Sequence, residues 1–151
     1  MDICITNMKK EHIPEAAMIE AMSFSLPWSE NAFEESLSYD HTIFLVAVLK
    51  GTDKVAGYIG MYKVFNEGEI TNVAVHPKYR GMGIGTKLME TVIRQAEKNN
   101  IKDIILEVRQ SNSEAIRLYE KNGFKKIGLR KNFYEKPVED GIVMHFKVFP
   151  L

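Results

Sequence analysis

Three glycines stand at alternate positions in RGMGIGTKLM, residues 80 to 89, with Arg80 just before them and a helix-forming run just after. Glycines so closely spaced let the backbone take conformations closed to other residues, and they remove side chains that would keep a ligand from the N–H groups. The chemistry such a loop supports at a helix N-terminus is the binding of an anion, above all a phosphate. Counting tests two common phosphate loops. The dinucleotide fingerprint G-x-G-x-x-G, begun at Gly81 or Gly83, demands glycine where Thr86 or Leu88 stands, and the nucleotide loop G-x-x-x-x-G-K-[ST] also demands glycine at 86. Both fail. R-x-x-G-x-G remains, from Arg80 to Gly83 and Gly85, and on the glycines alone a flexible turn opening a helix is an equal reading.

Two more side chains could move protons. In DIILEVR, Ile104, Leu106 and Val108 share one strand face while Ile105, Glu107 and Arg109 share the other. Glu107 is either a carboxylate on a solvated sheet face or a base in an apolar setting. In the next helix Asn112, Ile116 and Tyr119 fall on one stripe, because seven residues make nearly two turns. Tyr119 is therefore either a core aromatic or a proton donor.

The elements that must position these groups follow from periodicity and punctuation. A strand over residues 2 to 6 precedes a helix from about 11 to 22, with Pro14 in its first turn where a missing N–H does least harm. A second helix opens after SLPW, with Ser29 as N-cap. TIFLVAVLK and VAGYIGMYKV read as strands joined by a turn at 51 to 54, and EITNVAVHP as a third strand leading into the glycine loop. Residues 84 to 98 are helical, with Leu88, Val92, Ile93 and Ala96 on an apolar face. The strand KDIILEVRQ leads to a helix capped by Ser111 or Asn112 and stopped at Gly123, and FKKIGLRKNFYE and GIVMHFKVF close the chain. The order β-α-α-β-β-β-α-β-α-β-β mixes hairpins with crossovers and predicts an α/β (α+β) domain around one mixed, mostly antiparallel sheet.

Composition bounds the function classes. The length of 151 residues predicts one domain over 1–151, with 45% apolar and 26% charged residues as in ordinary soluble proteins. Twenty basic residues balance twenty acidic ones, so bulk charge gives no support for nucleic-acid binding. The lone Cys4 excludes an internal disulfide and a cysteine-based zinc cluster. His12, His41, His76 and His145 show no i, i+4 pair, so no metal is expected. The longest apolar run, IFLVAVL, is too short to span a bilayer, and no signal-peptide stretch is evident, so the expected compartment is the cytoplasm.

Taken together, NVAVHPKYRGMGIG resembles the acetyl-CoA motif of the GCN5-related N-acetyltransferase (GNAT) superfamily, and LEVRQSNSEAIRLYEKNGF is similar almost throughout to the signature of its ribosomal-protein-alanine acetyltransferase (RimI-type) branch. The shorter SLPWSE and RKNFYE resemble two further segments of that branch. The resemblance covers nearly the whole chain. It implies a sheet of about seven strands flanked by about four helices and splayed at an acetyl-CoA site, with no metal. It also implies that Arg80, Gly81, Met82, Gly83, Ile84, Gly85 and Thr86 wrap the coenzyme pyrophosphate, that backbone of Val73, Ala74 and Val75 pairs with the pantetheine arm, and that Asn112 contacts the cofactor. Such a nest of N–H groups and such a free strand edge suit those ligand groups physically.

The reaction implied is attack of an amine on a thioester, which requires a base for the amine, a donor for the oxyanion and an acid for the leaving sulfur. Glu107 matches the branch's base, Tyr119 its acid, and backbone N–H near Val75 its oxyanion donor. Cys4 lies far from both motifs, so direct transfer is expected rather than an acyl-enzyme. The resemblance implies, as acceptor, the N-terminal α-amine of a protein, foremost the N-terminal alanine of ribosomal protein S18. Leu26, Pro27 and Trp28 would line the peptide channel with Phe133 and Tyr134, although Trp28 reads equally as a core or hinge aromatic. Phe133 stands where the branch often has a tyrosine. An α-amine of pKa about 8 is roughly a tenth unprotonated at pH 7, whereas a lysine near 10.4 is free to only about one part in two thousand, which favours a terminal amine for a glutamate base. Lysine side chains or small amines remain as alternative acceptors, and a binding module with idle catalytic groups as a third reading.

Overall fold

TIFLVAVL and VAGYIGMY carry apolar or small residues on both strand faces, so a sheet built from them must be covered twice. The computed structural model, which describes residues 2–149, shows how. The first residue and the last two of the expected single domain lie outside the described residues. In chain order the elements are β1 (Ile3–Asn7), α1 (Ile13–Ser23), α2 (Glu30–Leu37), β2 (Thr42–Leu49), β3 (Val55–Val64), β4 (Glu67–Val75), α3 (Ile84–Lys98), β5 (Asp103–Arg109), α4 (Ser113–Lys121), β6 (Lys125–Tyr134) and β7 (Glu139–Lys147). Short 3-10 turns at Lys10–His12 and Pro77–Tyr79 lead into α1 and the glycine loop.

The seven strands form one sheet in the order β1-β2-β3-β4-β5-β7-β6. Only β4 and β5 run parallel, and every other neighbouring pair is antiparallel. The predicted mixed, mostly antiparallel sheet with four flanking helices is therefore what the chain adopts. One side of the sheet packs Leu88, Met89, Val92 and Ala96 of α3 and Tyr119 of α4 against Ile59, Met61, Ile104 and Leu106. The other packs Ile13, Ala16 and Ile19 of α1 and Phe33 of α2 against Phe44, Val46 and Tyr58.

Local signals place most boundaries. Ser29 caps α2 by accepting the Ala32 N–H, and Asn112, rather than Ser111, caps α4 by accepting that of Ala115. β4 begins at Glu67, two residues before the expected start, because a tight turn at Phe65 (φ 56°) pairs Glu67 with Val64.

One irregularity shapes the functional region. β3 and β4 pair Gly60 with Asn72 and Met61 with Ile70, leaving Thr71 as an extra residue. The bulge reverses the alternation of β4. Ile70 packs on the α3 side, whereas Ala74, four residues on, packs on the α1 side. Gly60 belongs at this bend because a Cβ there would lie 2.3 Å from the Phe44 ring. Parallel pairing of β4 with β5 covers only Glu67 to Glu69, and beyond those residues the two strands part.

Candidate active site

Where β4 and β5 diverge, the sheet opens into a cleft of about 1000 Å³. Its walls are the second half of β4, the glycine loop and start of α3, the end of β5, the inner side of α4, the α1–α2 loop and the β6–β7 turn. Among the described residues no helix is long and apolar enough to cross a membrane, and no group of side chains could hold a metal ion.

At one end of the cleft the backbone is prepared for an anion. α3 opens at Gly83 with no side-chain cap, and its first intrahelical bond runs from the Lys87 N–H to the Gly83 carbonyl. The N–H groups of Ile84, Gly85 and Thr86 are thus left for a ligand, at the positive end of a 15-residue helix. Gly81 and Gly83 adopt φ of +78° and +77°, and a Cβ on either would meet nothing within 4 Å. They are glycine for backbone conformation and not for packing room. Arg80 lines the same end and donates through Nε to the Val75 carbonyl at 3.2 Å. Val73, Ala74 and Val75 pair with β3 on one edge only, so the other edge faces the cleft. Asn112 lines the cleft beside them, its side-chain oxygen committed to the cap. Free N–H groups, an open strand edge and a cleft of about 1000 Å³ fit an acyl-coenzyme A.

Glu107 and Tyr119 both line this cleft. Their approach is indirect in sequence: Leu106 and Val108 point to the α3 and α4 side with Tyr119, so Glu107 occupies the opposite face of β5. Both reach the one cleft because the sheet is open between β4 and β5. The Glu107 side chain is 18% exposed, and its Oε1 lies 3.2 Å from Nε of Arg130 on β6. Desolvation raises its pKa; Arg130 pulls the other way and Glu69 adds to the rise. Tyr119 is buried, and burial, followed by the neighbouring Tyr134, pushes its phenol well above the ordinary value. Among the described residues no hydrogen bond engages its hydroxyl and no buried side-chain polar atom lacks a partner, so the hydroxyl opens onto the cleft. Tyr134 is pushed up to about 12 by burial and then by Glu107, so it stands between the other two electrostatically.

The remaining sequence candidates divide. Leu26, Trp28, Phe133 and Tyr134 line the cleft, but Pro27 and Met82 do not. Trp28 serves packing as well, its ring centroid lying 5.3 Å from Phe33 and 6.0 Å from Phe44. Phe133 and Tyr134 stack edge to face at 5.0 Å.

Glu20, absent from the sequence expectations, is 3% exposed and lines the cleft. Its Oε2 accepts the Trp28 N–H at 3.0 Å, while Oε1 accepts the Tyr58 hydroxyl and Nδ2 of Asn72 at 3.3 Å. The carboxylate thereby fastens the α1–α2 loop to the strand just past the bulge. A signal for it existed: Ile13, Ala16 and Glu20 follow at i, i+3 and i+7 on the buried stripe of α1, where a charge demands partners.

The family model described as Acetyltransferase (GNAT) family matches residues 13–124. A Bacillus subtilis (strain 168) protein provisionally named [ribosomal protein bS18]-alanine N-acetyltransferase is 36% identical over 141 residues, 93% of this chain and 92% of its own length. The crystal structure of the ribosomal-protein-S18-alanine N-acetyltransferase from Escherichia coli superposes with a TM-score of 0.89 at 31% identity, covering 99% of this chain and 96% of that one. A chain of the NatC complex, solved bound to Gag peptide and CoA, superposes with a TM-score of 0.84 at 26% identity, covering 97% and 99%.

Proposed function

The chain belongs to the GNAT acetyltransferase family, in its ribosomal-protein-alanine branch, and on that premise we propose that it transfers acetyl from acetyl-CoA to the N-terminal α-amine of a protein in the cytoplasm. The acceptor we assign is the N-terminal alanine of ribosomal protein S18, the activity named for the Escherichia coli relative. The observation that carries the reading is the convergence of Glu107 and Tyr119 on one cleft that also offers unpartnered helix N–H groups and a free strand edge.

In this reading the N–H groups of Gly81 and of Gly83 to Thr86, with Arg80, hold the pyrophosphate, and the Val73 to Val75 edge holds the pantetheine amides. Acetyl-CoA supplies an activated acyl group. Glu107 takes a proton from the incoming ammonium or amine, and its raised pKa brings it nearer the basicity that task needs. A backbone N–H near Val75 donates to the oxygen on which negative charge develops. Tyr119 gives its phenolic proton to the departing sulfur. Leu26 and Trp28 on one side and Phe133 and Tyr134 on the other form walls that the first acceptor residues must pass.

A peptide-library acetylation screen read by mass spectrometry tests the acceptor. Modification is expected on the α-amine of alanine-initiated peptides, S18-like ones foremost. Modification confined to lysine side chains or to added polyamines would replace this acceptor, and no turnover with any amine would remove the catalytic reading. The cofactor assignment has a separate test. Gly83→Ala makes the left-handed conformation cost about 1–2 kcal/mol; the free loop is expected to relax out of it and to regain it on binding, so acetyl-CoA affinity by calorimetry should fall by up to roughly 5- to 30-fold while peptide KM changes little. Unaltered affinity would move the pyrophosphate off this loop.

A further inference from the structure

Two segments of the cleft mouth, the α1–α2 loop and the β6–β7 turn, come from distant parts of the chain. Among the described residues no hydrogen bond runs directly between residues 24–28 and residues 134–139. One side chain reaches both. From the end of β5, Nη1 of Arg109 donates to the Pro137 carbonyl at 2.9 Å and to Oε1 of Glu139 at 3.2 Å. Its Nη2 donates to the Glu135 carbonyl at 2.6 Å and to Oγ of Ser25 at 3.3 Å. The guanidinium also lies over the Tyr134 ring, 4.7 Å from its centroid. Glu139 is held in turn by the Ser111 N–H just before α4.

We infer that Arg109 is a positioning residue that sets the width of the acceptor mouth, tying the α1–α2 loop to the β6–β7 turn through one guanidinium and so determining which first residue of an acceptor chain can reach Glu107. The inference rests on the acetyl-transfer reading for its functional consequence, though not for its structural one. A planar fork of five donors is what the arrangement needs, since the partners lie on two segments and include two backbone carbonyls. A lysine has the charge without the fork. An α-amine is attached directly to the carbon bearing the first side chain, so walls that close on the amine also close on that side chain. The separation of Tyr134 from the α1–α2 loop therefore bears on the size of the first side chain that can enter.

The test compares wild type with Arg109→Lys and Arg109→Met. Hydrogen exchange by mass spectrometry, with no substrate present, is expected to rise in both 24–28 and 134–139 in each variant, and acrylamide quenching of Trp28, the one tryptophan, to increase. In steady state the peptide KM should rise about tenfold or more while the acetyl-CoA KM stays within about twofold, and the preference for alanine over bulkier first residues should narrow. Faster exchange in the turn alone, rescue by lysine, or equal rises in both KM values would overturn the inference. Wild type inactive on every amine would instead sink the acetyl-transfer reading, and the exchange and quenching results would still decide whether Arg109 joins the two segments.

Discussion

Glu107→Gln is expected to lower kcat by about 10²- to 10⁴-fold, the range over which a positioned general base contributes. Glutamine keeps the volume and an oxygen for Arg130, so the loss isolates basicity from packing. The pH dependence gives a second, independent reading. Desolvation raises the Glu107 pKa, Arg130 partly opposes it and Glu69 adds to it. A base with a raised pKa stays protonated to higher pH, so wild-type activity is present above that pKa and is lost as pH falls through it, in a limb displaced upward from that of an ordinary glutamate. The glutamine variant should lack this limb and keep the one belonging to the acceptor α-amine near about 8. Arg130→Met removes the one influence that lowers the pKa and should move the limb upward. Profiles of kcat/KM from about pH 5 to about 9 measure all three. A glutamine variant with the wild-type profile and turnover would take the base role from Glu107.

Tyr119→Phe should lower kcat by about 10²- to 10³-fold, with acetyl-CoA affinity within about twofold of wild type. The ring would still pack against Phe124, whose centroid lies 6.0 Å away, so folding should be spared. In water a phenol of pKa about 10 protonates a thiolate of thiol pKa about 8.5 uphill by roughly 2 kcal/mol. Burial pushes Tyr119 higher still, but the same burial raises the proton affinity of a thiolate leaving beside it. The transfer therefore need not grow costlier by the full shift. Because its phenol stays protonated throughout the working range, Tyr119 should contribute no alkaline limb of its own. Stopped-flow turnover with saturating peptide checks the rate, and calorimetry with acetyl-CoA checks the affinity. Unchanged turnover would leave the sulfur to be protonated by another group.

Helix α3 was legible in the chain because Leu88, Val92 and Ala96 repeat at helical spacing behind a glycine start, and it spans Ile84–Lys98 as expected. The two faces of β5 were legible for the same local reason, as alternation needs no partner to be read. The glycine loop was ambiguous alone and gained its meaning from neighbouring motifs. Glu20 and Arg109 were not marked as site residues, since their importance lies in partners 8 to 84 residues away. Pro27 and Met82 show the converse limit: adjacent positions in a motif need not share one surface of the folded chain.

Local periodicity and residue spacing were enough to specify the elements, because each depends on interactions within a few residues, whereas the meaning of the glycine loop and of Glu107 and Tyr119 came from the resemblance of whole motifs to a family. Whether those candidates could act together was a non-local matter. Glu107 and Tyr119 project from opposite sides of the sheet, and a closed sheet would keep them apart. They share a cleft because Thr71 is squeezed out of the β3–β4 register beside Gly60, and β4 leaves β5 after Glu69. That register is settled by the packing of Phe44 against Gly60 and by two strands choosing partners, which no single segment encodes.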